Sequence, residues 1–161
     1  MQNRAISQGY DNLWLRKEGD RIVTLPSITY QSDDDVDLEE FIDLFVDSTL
    51  ALRRPADDPD RMRRMLAEAD LIVTARYGDR LVGISRSVTD WVYCTYLSDL
   101  AVRLDYQGQG IGRELVRLTR EATPQATVVL LAAPKAADYY SKIGMERHHS
   151  AWVLPPGQSV I

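Results

Sequence analysis

Residues 107–112, Gln-Gly-Gln-Gly-Ile-Gly, stand where an apolar strand pattern gives way to an amphipathic helix pattern, and this junction constrains the fold more than any other stretch. The pattern before it predicts a long strand over 93–104. After it, Ile111, Leu115, Leu118 and Ala122 recur at helical spacing and predict a helix over 110–122, closed before Pro124. The short continuous apolar run 127–131 then predicts another strand. Strand, helix and apolar strand in that order predict a right-handed crossover and a parallel pair, hence a mixed α/β fold.

Three glycines at a helix start leave main-chain N–H groups uncovered at the positive end of the helix dipole, where an anion can be held. The same hexapeptide also reads as a turn that only reverses the chain. Two other phosphate-binding patterns fail on spacing. A dinucleotide fingerprint counted from Gly108 places Arg113 where its last glycine belongs, and 128–131 are apolar where an acidic residue is needed. A Walker-type loop needs Lys-Ser/Thr after its last glycine, but Arg113 and Glu114 follow Gly112. A shorter turn, suited to a pyrophosphate across a helix end, remains.

Two segments carry a family resemblance. The first runs from Tyr96 to Leu115 and contains Gln107, Gly110 and Gly112; it resembles the acyl-CoA-binding strand–turn–helix of the GNAT (Gcn5-related N-acetyltransferase) superfamily. The second, Ala-Ala-Asp-Tyr-Tyr-Ser-Lys-Ile-Gly-Met over 136–145, resembles the Ala-x-x-Phe-Tyr-x-Lys-Leu-Gly-Phe run of the same family. The resemblance spans roughly 28–153. It implies a central, mostly antiparallel sheet with a splayed parallel strand pair and flanking helices, and acetyl-CoA as acyl donor. Transfer would go to the amino group of a small molecule or a protein by direct attack in a ternary complex. The main chain of Leu100, Ala101 and Val102 would meet the pantetheine arm. Gln107, Gly108, Gln109, Gly110, Ile111, Gly112 and Arg113 would seat the pyrophosphate. Tyr140 would protonate the leaving thiolate.

Asp99 is the best-placed carboxylate for a base. Simple alternation puts it on one face with Leu97 and Ala101, but the resemblance implies a bulge in this strand that would break the alternation. A buried structural aspartate is the other reading of the same residue, and a chain of waters could serve as the base in its place. Ala133 replaces an asparagine usual in the family, and Met145 replaces a phenylalanine. The rival to an enzyme is a non-catalytic acetyl-CoA sensor or interaction domain.

The rest of the chain is read around this nucleus. Residues 1–20 form a polar extension and 21–161 one domain. A strand over 21–30 is interrupted by Pro26. Helices over 38–49 and 62–69 are preceded by aspartates suited to capping, and 51–59 read as a surface loop carrying Arg53 and Arg54. Strands follow over 71–76 and 81–88, then a helix over 135–141 capped by Gly144, and a last strand over 146–154. The family usually has one more strand at that end, so either the sheet is shorter, the apolar island Leu13–Leu15 contributes, or a partner chain covers the edge; the last leads us to expect a homodimer.

Residues 1–70 carry a net charge of −7 and residues 71–161 one of +2. No basic stripe suits nucleic acid. The single cysteine, Cys94, reads as a structural thiol. His148 and His149 would point to opposite faces of the last strand, so no metal site is expected. No stretch approaches a membrane span, so the expected location is the cytoplasm.

Overall fold

A computed structural model describes residues 14–18, 21–25, 27–32 and 35–160. The chain divides into two compact units, Met1–Leu130 and Leu131–Ile161.

In the first unit, β1 (Trp14–Glu18) pairs antiparallel with β2 (Arg21–Leu25) as a two-stranded sheet, so part of the expected extension is a strand. Next come β3 (Ile28–Ser32), α1 (Leu38–Asp47), α2 (Pro59–Ala67), β4 (Leu71–Tyr77), β5 (Arg80–Thr89), β6 (Cys94–Val102), α3 (Ile111–Ala122) and β7 (Thr127–Val129). Pro26, expected to interrupt the first strand, lies outside the described residues. The main sheet has the order β3-β4-β5-β6-β7, antiparallel except for the parallel β6–β7 pair.

Helices cover both faces of this sheet, and the residues of β4 show why. Ile72 packs with Phe41, Leu44 and Phe45 of α1 and Met62 of α2, whereas Leu71, Val73 and Ala75 pack with Ile111, Leu115 and Leu118 of α3. A strand with period-two side chains that are buried on both faces is stable only between two covering layers. Burying Phe41, Leu44 and Phe45 contributes about 1.5–3 kcal/mol each. On β5, Gly83 lets α3 lie close: a Cβ there would stand 3.1 Å from both Ile111 Cγ2 and Leu115 Cδ1.

The connection from β6 to α3 is tied to α1. Arg103, nearly fully buried, donates through Nε to the Leu81 carbonyl (2.7 Å) and through Nη2 to Asp43 (2.7 Å), and Asp47 accepts from the Leu104 amide (3.0 Å).

Two features depart from simple alternation or from the expected elements. Arg86 faces Asp99 while Ser87 faces Leu97, so Ser98 is an extra residue and β6 carries a bulge. Ser87 also faces Leu71, which belongs to the α3 side, so Leu97 lies on that side. Asp99 and Ala101 lie on the α1–α2 side. The face shared by Leu97, Asp99 and Ala101 is therefore corrected: the inserted residue reverses the facing at the bulge.

The second unit holds a short 3-10 turn, Pro134–Ala136, and α4 (Ala137–Lys142). Gly144 (φ +92°) ends α4: its N–H donates to the Ser141 carbonyl (3.3 Å) and the Met145 N–H to the Tyr140 carbonyl (3.0 Å), a Schellman arrangement. The strand expected over 146–154 does not form. Among the described residues no ladder partner satisfies its main chain, and local bonds compete, the Ser150 hydroxyl and amide both meeting His148 Nδ1. His148 and His149 accordingly do not point to opposite faces; their rings stack with centroids 5.5 Å apart.

Candidate functional site

The glycine turn follows the C-terminal end of β6. Gly108 (φ +74°) and Gly110 (φ +87°) take the left-handed conformation, and Gly110 occupies the cap position of α3. The first intrahelical bond runs from the Glu114 amide to the Gly110 carbonyl (3.0 Å). The amides of Ile111, Gly112 and Arg113 therefore have no acceptor among the described residues, and no side chain caps the helix. A Cβ at Gly108 or Gly110 would meet nothing within 4 Å, so the space beside these two residues is open. Gln107 turns back to the strand, its Nε2 donating to the Val102 carbonyl (2.9 Å), and Gln109 Nε2 donates to the Asp105 carbonyl (3.0 Å). These two glutamines brace the turn and leave the amides uncovered.

The strand before the turn is open on one edge. β7 pairs with β6 only at Cys94, Thr95 and Tyr96, so Leu97 to Val102, which include the expected Leu100, Ala101 and Val102, lie beyond the paired stretch. Within this stretch the Ser98 carbonyl is met by Arg54 and the Val102 carbonyl by Gln107; the edge between them, on the strand that leads into an uncapped helix N-terminus, is a main-chain surface for amides beside one for a phosphate.

Asp99 sits at the start of this open stretch with 1% of its surface exposed. Its Oδ1 accepts from Arg54 Nε (2.5 Å) and its Oδ2 from Arg86 Nε (2.5 Å). Arg86 donates further to the Met65 carbonyl (3.1 Å) and the Ser98 hydroxyl (2.9 Å), and Arg54 to the carbonyls of Ser98 (2.7 Å) and Arg53 (2.8 Å). Arg54 was expected on a surface loop; it is turned inward. The signal that could have found the cluster is the pair of opposite charges, Arg86 and Asp99, on adjacent apolar strands, since a buried carboxylate requires partners.

At the other end of β6, Asp90 shapes the hairpin from β5. Its carboxylate accepts from the amides of Cys94 (3.0 Å), Tyr93 (2.8 Å) and Val92 (3.1 Å), and these bonds hold its pKa below the ordinary value. Trp91 is held at φ +69° in this turn, its amide donating to Thr89 Oγ1 (2.9 Å).

Tyr140 belongs to the second unit, on α4, half-buried, with its ring edge-on to Tyr139 at 5.3 Å. Cys94 is partly exposed. Among the described residues, no group of three or more His, Cys, Asp or Glu is placed to hold a metal, and no helix is long and apolar enough to cross a membrane.

The family model for the acetyltransferase (GNAT) domain matches residues 54–153. The chain belongs to this family. It is 25% identical over 156 residues to an uncharacterized N-acetyltransferase, ycf52, of Porphyra purpurea, covering 89% of this chain and 86% of that protein. A GNAT family acetyltransferase from Streptococcus pneumoniae TIGR4 superposes with a TM-score of 0.64 at 26% identity, over 80% of this chain and 98% of that one. An aminoglycoside acetyltransferase from an uncultured soil metagenomic sample shares the fold at a TM-score of 0.59 and 21% identity, over 80% and 97%. The mixed sheet with its parallel pair is thus the GNAT fold.

Proposed function

We propose that this GNAT protein is an acetyl-CoA-dependent N-acetyltransferase that transfers acetyl to a primary amine by direct attack in a ternary complex. The observation that carries the reading is the uncapped N-terminus of α3 at the end of a strand whose edge β7 leaves open. Acetyl-CoA supplies a thioester carbonyl open to attack by a neutral amine.

The amides of Ile111, Gly112 and Arg113 hold the pyrophosphate at the positive end of the helix dipole, with Gly108 and Gly110 keeping the approach clear. The edge groups of Leu100, Ala101 and Val102 exchange hydrogen bonds with the pantetheine amides, relieving a cost of about 1–3 kcal/mol per buried unpaired group. Tyr140, by its place in the second family motif, gives its phenolic proton to the thiolate as it leaves, and the proton that the amine sheds as the amide forms passes through water and restores the phenol.

The test combines calorimetry with acetyl-CoA and release of free CoA from a panel of spermidine, phenethylamine, a lysine-containing peptide and sisomicin. The reading expects binding, turnover with at least one amine, and a loss of about 10²–10⁴ in kcat in Tyr140→Phe. Binding without turnover makes the protein a sensor. Full activity in Tyr140→Phe at every pH removes the tyrosine from the mechanism.

A further inference from the structure

The bulge in β6 lies directly before the main-chain groups assigned to the pantetheine. Ser98 is the inserted residue, and Leu100, Ala101 and Val102 follow it on the same strand. One extra residue reverses every facing beyond it, so the position of the bulge fixes how 99–102 are presented. Hydrophobicity alone does not hold it in place. Apolar layers cover both faces of the sheet, and Leu100, Ala101 and Val102 are apolar in either facing.

Two guanidiniums hold it instead. Arg86, the β5 residue opposite the bulge, grips both of its members: Nε donates to Asp99 Oδ2 (2.5 Å) and Nη2 to the Ser98 hydroxyl (2.9 Å). Arg54 grips the same two residues through other atoms, Nε donating to Asp99 Oδ1 (2.5 Å) and Nη2 to the Ser98 carbonyl (2.7 Å). The second positive charge of the cluster is met by carbonyls, Met65 for Arg86 and Arg53 for Arg54.

Asp99 and Arg86 are both nearly fully buried. Taking such charges out of water costs about as much as their attraction returns, and well-packed apolar side chains in their place are often as stable or more so. Stability therefore does not account for the cluster; a unique register does. A bulge displaced beyond Asp99 would turn that carboxylate to the α3 side, into the apolar cluster of Leu71, Val73 and Leu115, where a charge without a partner is strongly disfavoured. Resting on the acetyltransferase reading, we propose that Arg86 and Arg54 are positioning residues for the cofactor: through Asp99 and Ser98 they lock the inserted residue of β6 and so fix the register of the edge that meets the pantetheine.

The experiment replaces the whole cluster by apolar side chains of similar size, Arg54→Met, Arg86→Met and Asp99→Leu together, in the full chain. The urea midpoint of this triple variant is no lower than that of the unmutated protein. Its acetyl-CoA affinity by calorimetry falls about tenfold, equivalent to about 1.4 kcal/mol, the worth of one main-chain hydrogen bond to the pantetheine. ADP, which carries a pyrophosphate and no pantetheine, binds both proteins alike, because the turn before α3 is untouched. Amide exchange over 97–102 accelerates while that over 71–77 stays as it was. In Arg86→Lys the ammonium lacks the planar fork that reaches Ser98 and Asp99 together, and acetyl-CoA affinity falls by less than in the triple variant. Where the triple variant fails to fold, Arg86→Lys carries the test alone.

A lower urea midpoint with unchanged acetyl-CoA affinity makes the cluster a device for stability and overturns the proposal. Unaltered exchange over 97–102, or an equal fall in ADP affinity, overturns it as well. Absence of acetyl-CoA binding by the unmutated protein overturns the acetyltransferase reading and this proposal with it; binding by the unmutated protein with undiminished affinity in the folded variants overturns this proposal alone.

Discussion

The helices of the first unit begin in two different ways. α1 and α2 are capped by their own aspartates: Asp37 Oδ1 accepts from the Glu40 amide (2.9 Å) and Asp58 Oδ1 from the Arg61 amide (3.0 Å), each from an extended backbone. α3 begins at a left-handed glycine with no side-chain cap. A carboxylate that caps a helix closes the same amides that would bind an external anion. The difference separates helix ends that serve stability from one that is left for a ligand.

The strongest way to break this comparison is to give α3 a cap of its own. Gly110→Asp places a carboxylate before the open amides and a Cβ on a residue at φ +87°. Acetyl-CoA affinity should fall about 100-fold, equivalent to about 3 kcal/mol, from the loss of two charge-assisted bonds. The left-handed backbone should cost about 1–2 kcal/mol of stability besides. Calorimetry and denaturant titration measure the two effects separately, and undiminished affinity would deny the turn its role.

The converse substitutions sharpen the contrast. Asp37→Ala and Asp58→Ala should each lower stability by about 1 kcal/mol in urea titration. Neither should change acetyl-CoA affinity, and a drop in affinity from either would show that the capped ends also serve the ligand.

A third effect is confined to alkaline pH. Tyr30 of β3 has its pKa pushed up to about 12, by burial first and by the charge of Glu114 second. A raised folded-state pKa favours the neutral phenol, so its contribution to stability is complete below about pH 10 and is lost as pH rises toward 12. Tyr30→Phe should flatten that part of the stability–pH curve. An identical slope in the variant would assign the alkaline loss to other groups.

Much of the fold was legible because its signals are local. The helical spacing of Ile111, Leu115 and Leu118 and the aspartates before α1 and α2 each act within a few residues, and the elements formed where they pointed. The 146–154 segment alternates well enough to suggest a strand, but a strand exists only when another strand accepts its main chain, and none does among the described residues. The bulge on β6 was expected from the resemblance but could not be placed by composition: a single inserted residue leaves the apolar character of the strand unchanged and reverses the facing of every residue beyond it.

The glycine turn, the amphipathic face of α3 and the order of the elements were determined by the sequence by itself, because short-range sterics and hydrophobic periodicity set them. Only the tertiary structure decided that Arg54 leaves the surface, that Arg54 and Arg86 divide the two oxygens of Asp99, and that the guanidinium covers a carbonyl stranded by the bulge. Arg54 is 45 residues from Asp99 along the chain. A buried charge must find its partner wherever the packed layers bring one, and that meeting is settled by how the helices lie on the sheet.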